Sequence, residues 1–306
     1  MATSFSVERP RRAHRAHRAH RAGRVAGAVF RALVLSAVGL AAACSARAAP
    51  SAAGAEPVKE PSPMKDPLAE RVALAFDLAA SFGLPADAAA GARAAYLAAP
   101  ARFVALLNEA LEEDARLGRI LDLVDKAHAL PADYEPADLV SLNDYPLART
   151  RADLRLREPV MAGLMAMDAE ARAAGLKLVY GSSYRSYAYQ EEVYARHARQ
   201  LGEAAADRVS ARPGHSQHQL GTAVDFSPIE TGFGAMPEGR WLAESAWRFG
   251  FSLSYPQGYE AITGYDFEPW HYRYITKAGA LLEREYFGGV QQYLMAFLRA
   301  FGAAGS

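Results

Sequence analysis

The chain has 306 residues, of which 51% are hydrophobic and 22% charged, a composition typical of a soluble globular protein rather than a disordered one. Lysine plus arginine and aspartate plus glutamate number 34 each, so the net charge is zero. This balance argues against a nucleic-acid-binding protein, because such proteins usually carry a basic surface. The length allows one large domain or two small ones.

Residues 1–44 have the pattern of a secretory signal peptide. A basic run at 11–24 precedes an apolar stretch at 32–43, which is too short for a stable transmembrane helix. Cys44, the only cysteine, follows this stretch directly and resembles the lipidated cysteine of a bacterial lipobox, although Ala41 occupies a position where leucine is usual. The small residues at 46–48 form an alternative cleavage site. We therefore expect export to the bacterial cell envelope, either with a lipid tether to the membrane through Cys44 or as a cleaved soluble protein.

A flexible linker and a helical prefix are predicted next. Residues 45–66 are rich in Ala, Pro and Ser and have no apolar periodicity, which is typical of a tether. Within 67–129 apolar residues recur at intervals of three and four, a pattern that we extend as far as Val124, with breaks at 83–85 and 99–100. This prefix contains no recognisable chemistry, so we interpret it as packing scaffold.

Residues 130–288 are predicted to form the catalytic domain, and 289–306 a last amphipathic helix. The apolar pattern predicts few strands, separated from the helices, which favours an α+β fold with a small antiparallel sheet flanked by helices. An extended lead-in at 130–140 and a mostly irregular stretch at 203–224 interrupt these elements. The predicted helices are 157–175, 188–201, 238–249, 276–286 and 291–301, and the predicted strands are 176–180, 222–226, 251–255 and 266–274.

Two histidines and one aspartate form a candidate metal site. Catalytic zinc takes three protein ligands from His, Asp or Glu and leaves one position open, and His218, Asp225 and His271 provide such a set. Asp225 follows two apolar residues, and a buried acid needs a partner such as a cation. His215, in the same loop as His218, is an alternative ligand on sequence grounds.

Glu268 and Arg185 complete the candidate chemistry. Glu268 is not needed as a ligand, so it is free to act as general base on water, provided that Pro269 bends the chain and brings Glu268 to the same side as His271. Arg185 lies in a predicted loop after a strand, where it either stabilises an oxyanion or binds a substrate carboxylate. Gln190 falls early in the following helix and is within reach of the same cleft.

These residues resemble the VanY-type D-alanyl-D-alanine carboxypeptidases, within the wider group of lysostaphin-like and Hedgehog-like zinc metallopeptidases. The resemblance covers about residues 120–285. It is carried by Ser216-x-His218-x-x-Gly221-x-Ala223-x-Asp225, Glu268-x-x-His271 and Tyr184-Arg-Ser-Tyr-x-x-Gln190, and by the framing residues at 130–134 and 246–251.

The resemblance implies a role for each of these positions. One zinc ion would be bound by His218, Asp225 and His271, with Glu268 and Arg185 as catalytic residues, and His215 would be left in the pocket or behind the ligands. The substrate pocket would be lined by Tyr184, Gln190, Ser216 and Trp270. The implied reaction is hydrolysis of the C-terminal D-alanine from a peptidoglycan stem peptide. An L,D-carboxypeptidase, a D-Ala-D-Ala dipeptidase, a cross-link endopeptidase and a non-catalytic wall-binding lipoprotein are the alternatives.

Overall fold

The computed structural model describes residues 66–305. The predicted signal peptide, the lipobox cysteine Cys44 and the linker up to residue 65 lie outside these residues. Among the residues described, no helix has both the length and the apolar character needed to cross a bilayer. The helices are α1 Pro67–Leu78, α2 Ala86–Ala98, α3 Pro100–Leu117, α4 Glu158–Ala173, α5 Tyr187–Leu201, α6 Glu203–Val209, α7 Pro237–Ser245, α8 Glu260–Thr263, α9 Lys277–Tyr286 and α10 Gln291–Ala303. The strands are β1 Leu139–Ser141, β2 Ala148–Arg149, β3 Arg155–Arg157, β4 Val179–Ser182, β5 Ala223–Phe226, β6 Phe251–Leu253 and β7 His271–Tyr274.

A five-stranded sheet lies at the centre of the fold, with the strand order β2-β4-β5-β7-β6. The α+β prediction is confirmed, and every pair in this sheet is antiparallel except β2 with β4, which is parallel. β1 and β3 form a separate antiparallel pair. The parallel pair at one edge was not predicted, because β2 is a two-residue strand outside the apolar runs that identified the others.

The two faces of the sheet differ in chemistry. Val224, Phe226 and Tyr272 are fully or almost fully buried in the main apolar core together with residues of α4. Helix α4 approaches this region closely at Gly163, where an added Cβ would lie 2.5 Å from the backbone oxygen of Phe249 and 3.2 Å from the ring of Tyr274 in β7. Since side chains alternate along a strand, Asp225 and His271 point to the opposite face. The sheet therefore has one face that stabilises the fold and one that carries polar residues.

The helical prefix belongs to the same core as the sheet. Phe76 of α1 and Phe103 of α3 pack against Phe297 of α10, with ring centroids 4.7 and 5.6 Å apart respectively. Aromatic clusters of this kind bury large areas and stabilise the layers that they join. Within residues 66–305 the prefix is thus a helical layer on the core and not a separately folded unit.

The predicted helicity of the prefix ends earlier than expected. Helix α3 ends at Leu117, and Gly118 and Arg119 both have positive φ angles, of 71° and 58°. The chain then runs without regular structure to β1, held by hydrogen bonds of 2.7 Å from the buried Arg273 of β7 to the carbonyl oxygens of Ile120 and Asp122. The apolar residues up to Val124 are buried, but in an irregular segment, so their spacing did not indicate a helix.

The stretch 203–224 is more regular than predicted. It contains α6 and a short 3-10 helix at Gln217–Leu220. Helix α6 is rich in alanine, a strong helix former, but it buries only Ala206 and therefore has no apolar stripe to reveal it. The last two strands are shorter than predicted, since residues 254–270 between them form turns and the short helix α8.

Glu283 of α9 leads to a prediction about stability. Its side chain is buried and accepts a 2.9 Å hydrogen bond from Ser252 Oγ, and burial raises its pKa to about 8. Between about pH 4.5 and 8 the folded protein binds a proton that the unfolded chain releases. The free energy of unfolding should therefore fall as the pH rises, by up to about 1.4 kcal/mol per unit. We expect Glu283→Gln to reduce this dependence and to be more stable than wild type at pH 8. Denaturant unfolding at pH 5 and pH 8 measures both effects, and equal pH slopes in the two proteins would contradict the prediction.

Candidate metal centre and active site

Strands β5 and β7 place two of the predicted ligands side by side. Their antiparallel register pairs Asp225 directly with His271. Directly opposed side chains on one face of a sheet have Cβ atoms about 5 Å apart. His271 Nδ1 accordingly lies 2.9 Å from Asp225 Oδ1, and both residues are buried.

The third ligand comes from the 3-10 helix before β5. Ser216 caps this helix by accepting a hydrogen bond from His218 N, and Gly221 ends it with a φ of 70°. A side chain at Gly221 would be strained at this φ and would also meet Arg157 Cγ at 2.9 Å, so glycine is needed for this turn. The turn directs His218 Nε2 towards Asp225 Oδ2, at 3.1 Å.

The donor atoms of these three residues suit a metal cation. One ligand atom from each lies within 4.8 Å of the others, and all three side chains are buried. Within the described part of the chain, His218 Nε2 and Asp225 Oδ1 are buried without a hydrogen-bond partner. Unpaired buried polar atoms are costly, and a cation among them would satisfy both. Two imidazoles and one carboxylate with room for a fourth ligand fit catalytic zinc.

Hydrogen bonds behind the ligands set the orientation of both imidazole rings. His218 Nδ1 lies 2.7 Å from the carbonyl oxygen of Ser183, which can only accept a hydrogen bond. His271 Nε2 lies 3.2 Å from Gln217 Oε1. In both rings the remote nitrogen then carries the hydrogen, and the nitrogen that faces Asp225 keeps a free lone pair for a cation.

The ionisation of the ligand side chains also favours a cation. Burial by itself would raise the pKa of Asp225, but His218 and His271 hold that pKa well below its usual range. Burial, with the nearby positive charge of Arg185, lowers the pKa of His218 to about 4. The site therefore offers an ionised carboxylate and a neutral imidazole, the forms in which both bind metals.

Glu268 lies beside this cluster because the chain bends before β7. His271 N donates to the carbonyl oxygen of Glu268 at 3.1 Å, which closes a turn over Pro269 and Trp270. Glu268 Oε2 comes to 3.7 Å from His271 Nδ1 without belonging to the three-ligand cluster. Burial, and then the charge of Asp225, raises the pKa of Glu268 well above its ordinary value. The expected bend is present, and a carboxyl with a raised pKa is suited to accept and return a proton.

Arg185 also lies beside this cluster. Its Nη2 lies 3.8 Å from Asp225 Oδ2, and its backbone N donates to the His218 carbonyl oxygen. Gln190 Oε1 accepts a 2.9 Å hydrogen bond from Arg185 Nη1, while Gln190 Nε2 donates to the Ala211 carbonyl oxygen at 2.7 Å. Gln190 is 1% exposed and does not line the cleft, contrary to its predicted role. It holds the guanidinium group because helix α5 places it behind Arg185.

The cleft over the cluster has a volume of about 390 Å³. Ser216 and Trp270 line it together with Glu268, Arg185 and the three residues of the metal cluster. Further lining residues that sequence reasoning missed are Arg151, Tyr189, Arg196, His197, Tyr255 and Tyr265. Tyr189, Arg196 and His197 all lie in α5, whereas Arg151, Tyr255 and Tyr265 lie in separate irregular segments. No sequence motif links these positions to the candidate metal ligands.

Two residues of the predicted motifs, Tyr184 and His215, do not line this cleft. Tyr184 was predicted to line the substrate pocket, but it lines a neighbouring depression of about 240 Å³, with the Arg155 guanidinium 5.1 Å above its ring. His215 Nδ1 lies 2.7 Å from the Asp125 carbonyl oxygen, and His215 is absent from the metal cluster and the cleft lining. The structure thus favours His218 over His215 as the ligand.

Comparison with known proteins gives matches over the region that contains the candidate metal centre. Residues 153–277 match the model of the VanY family, described as D-alanyl-D-alanine carboxypeptidase. A D-alanyl-D-alanine carboxypeptidase of Enterococcus faecalis (strain ATCC 700802 / V583) is 35% identical over 164 residues, or 51% of this chain, and the chain spans 58% of that protein's length. The bifunctional D-Ala-D-Ala dipeptidase and carboxypeptidase VanXYC of Enterococcus gallinarum is 30% identical over 169 residues, which cover 51% of this chain and 83% of that protein.

Among solved structures, the LD-carboxypeptidase LdcB is similar with a TM-score of 0.51 and 34% identity, over 56% of this chain and 86% of that one. The family match contains all three members of the metal cluster and both Glu268 and Arg185. The descriptions of both of these relatives include D-Ala-D-Ala carboxypeptidase activity. The chain belongs to the VanY family of D-alanyl-D-alanine carboxypeptidases.

Proposed function

We propose that this protein is a zinc-dependent carboxypeptidase that removes the C-terminal D-alanine from peptidoglycan stem peptides. The observation that carries the proposal is the buried cluster of His218, Asp225 and His271 at the base of a cleft that also contains Glu268 and Arg185. A zinc ion bound by the three ligands would supply Lewis-acid activation of water and of the scissile carbonyl. The remaining chemistry belongs to the side chains of the chain itself.

Glu268 has the position and the environment of a general base. Its carboxylate would take a proton from the attacking water and deliver it to the amine that leaves, so a single group serves both halves of the hydrolysis. Because the Glu268 carboxyl is largely shielded from solvent, loss of solvation penalises its charged form and not its protonated form. The presence of such a base supports a catalytic role for the metal site rather than a purely structural one.

Arg185 is suited to stabilise negative charge beside the metal cluster. Its guanidinium is held by Gln190, and Nε is buried without a hydrogen-bond partner among the described residues. A substrate carboxylate or the oxyanion of the tetrahedral intermediate would supply that partner. Arg151, Arg196 and His197 also line this cleft, which favours a substrate with several carboxylates, as in a stem peptide.

Two related activities remain candidates because similar proteins carry them. LdcB is described as an LD-carboxypeptidase, which favours removal of D-alanine from a tetrapeptide stem. VanXYC is described as also being a D-Ala-D-Ala dipeptidase. These activities differ in which peptide bond reaches the cluster, so the products on defined substrates separate them.

The test is product analysis by mass spectrometry on pentapeptide stems, tetrapeptide stems and free D-Ala-D-Ala, with zinc and with a chelator. Zinc-dependent release of D-alanine from the pentapeptide alone is the expected result. Release from the tetrapeptide alone would reassign the protein as an L,D-carboxypeptidase, and cleavage of the free dipeptide as a dipeptidase. A preparation that binds zinc but releases nothing would favour a wall-binding role.

We also propose that the protein acts in the bacterial cell envelope, where its substrate lies. The motivation is the basic and then apolar pattern of residues 1–44 in the sequence. Mass spectrometry of the mature protein decides between the two forms. A lipidated Cys44 at the N-terminus indicates a tethered enzyme, a free Ala49 indicates a cleaved soluble one, and an intact Met1 would contradict export.

A further inference from the structure

We infer that Gln291, at the start of the C-terminal helix α10, is a positioning residue for the metal ligand His271. This inference rests on the proposed zinc function and extends it to a residue outside the segment 153–277 that matches the family. Gln291 does not touch the metal cluster. It acts through Gln217, whose side chain contacts His271.

Three buried polar side chains form a closed ring of hydrogen bonds behind His271. Gln217 Nε2 donates to Gln291 Oε1 at 3.1 Å, and Gln291 Nε2 donates to Ser254 Oγ at 3.1 Å. Ser254 Oγ donates in turn to Gln217 Oε1 at 2.7 Å. All three residues are at most 4% exposed, so water does not compete for these groups.

The donor and acceptor roles in this ring of hydrogen bonds are set by a backbone carbonyl group, whose role is fixed. The carbonyl oxygen of Ser252 in β6 lies 3.4 Å from Gln291 Nε2 and can only accept a hydrogen bond. If the Gln291 amide were reversed, its oxygen would face that carbonyl oxygen. Two acceptors in contact repel each other, so the amide nitrogen of Gln291 faces Ser252, and its oxygen faces Gln217.

The orientation of Gln291 then decides the orientation of Gln217. Because Gln291 presents an oxygen, Gln217 must present its NH2 group to it and turn its own oxygen towards His271 Nε2, at 3.2 Å. An oxygen there requires a hydrogen on Nε2 of His271. The neutral ring then has its lone pair on Nδ1, the atom that faces Asp225.

Without Gln291 this selection is lost. The Gln217 amide would be free to reverse and present its NH2 group to His271 Nε2, which would favour the hydrogen on Nδ1. That tautomer cannot bind a metal through Nδ1, so metal binding would have to reverse the amide again. Groups that orient metal-binding histidines in this way typically account for about 10- to 100-fold in metal affinity.

The experiment compares the zinc affinity of wild type and Gln291→Met at one fixed pH, by competition with a chelator of known affinity. Methionine has a similar length and fills the same space without an amide. We expect zinc binding to weaken by about 10-fold or more. Gln292→Met is the matched control, since the neighbouring Gln292 donates a 2.7 Å hydrogen bond to Asp125 and has no contact with the ring. It should retain wild-type zinc affinity.

Coupling with Gln217 separates positioning from a general loss of stability. If Gln291 acts through Gln217, the double variant Gln217→Met/Gln291→Met should bind zinc no more weakly than Gln217→Met alone. Should Gln291→Met fail to fold, Gln291→Asn replaces it, because asparagine keeps the amide but is too short to reach both partners. Wild-type zinc affinity in the folded Gln291 variant, or additive losses in the double variant, would overturn the inference. A wild-type protein that binds no zinc would instead overturn the proposed function itself.

Discussion

Glu268→Gln should abolish peptide hydrolysis while leaving the fold and zinc binding intact. The amide has the same shape as the carboxyl group but cannot accept a proton from water. General-base catalysis contributes about 10²- to 10⁴-fold, so we expect kcat to fall by at least about 100-fold. Since Glu268 is largely shielded from solvent and its pKa is raised by that burial, replacing it with a neutral group should not lower the stability.

The measurement combines turnover on the preferred stem peptide, zinc content and thermal unfolding for the same preparation. Glu203→Gln is a matched control, because Glu203 lies in α6 with its side chain 78% exposed and away from the cleft lining. It should behave as wild type in all three measurements. Turnover within a few-fold of wild type in Glu268→Gln would refute the role of general base, and loss of zinc would show that Glu268 is a ligand.

Replacing His218 and replacing His215 should have opposite outcomes, although the two histidines are three residues apart. His218→Ala removes an atom of the three-ligand cluster. Even groups behind a ligand account for about 10- to 100-fold in metal affinity, so loss of a ligand itself should weaken zinc binding by more than about 100-fold. His215→Ala removes only the contact with the Asp125 carbonyl oxygen, a bond that contributes about 1 kcal/mol.

Zinc stoichiometry and affinity of both variants, measured on folded protein, test this difference. His215→Ala should bind one zinc ion with wild-type affinity and show at most a small decrease in thermal stability. Retention of zinc by His218→Ala together with its loss from His215→Ala would reverse the ligand assignment. Loss from both would indicate that the loop before β5 must keep both imidazoles to hold its shape.

The candidate catalytic residues could be identified in the sequence because they lie close together along the chain. His218, Gly221 and Asp225 lie within eight residues of one another, and their spacing already describes a short turn followed by a strand. Glu268 and His271 are three residues apart, with Pro269 between them to break the strand pattern. Local backbone geometry decides such arrangements, so the sequence carries their signature without knowledge of the fold.

The pocket assignments for Gln190 and Tyr184 were less successful for a physical reason. Both belong to the same short motif as Arg185, but neighbouring residues in a loop and a first helical turn point in different directions. Gln190 is turned inward by α5, where the Ala211 carbonyl oxygen satisfies its amide. Tyr184 packs its ring under the Arg155 guanidinium and lines a neighbouring depression. Proximity in sequence placed both near the site, but side-chain direction is a property of the folded backbone.

Residue type, spacing and apolar periodicity in the sequence are enough to predict the candidate metal ligands, the candidate base, the arginine beside them and the α+β class. The tertiary structure decided what supports that chemistry. The irregular segment 118–138 is held by Arg273, about 150 residues away along the chain. The tautomer of His271 depends on Gln217, whose amide is oriented by Gln291, 74 residues after Gln217. Hydrogen bonds over such separations form only after the sheet and helices have packed, so no local pattern in the sequence can encode them.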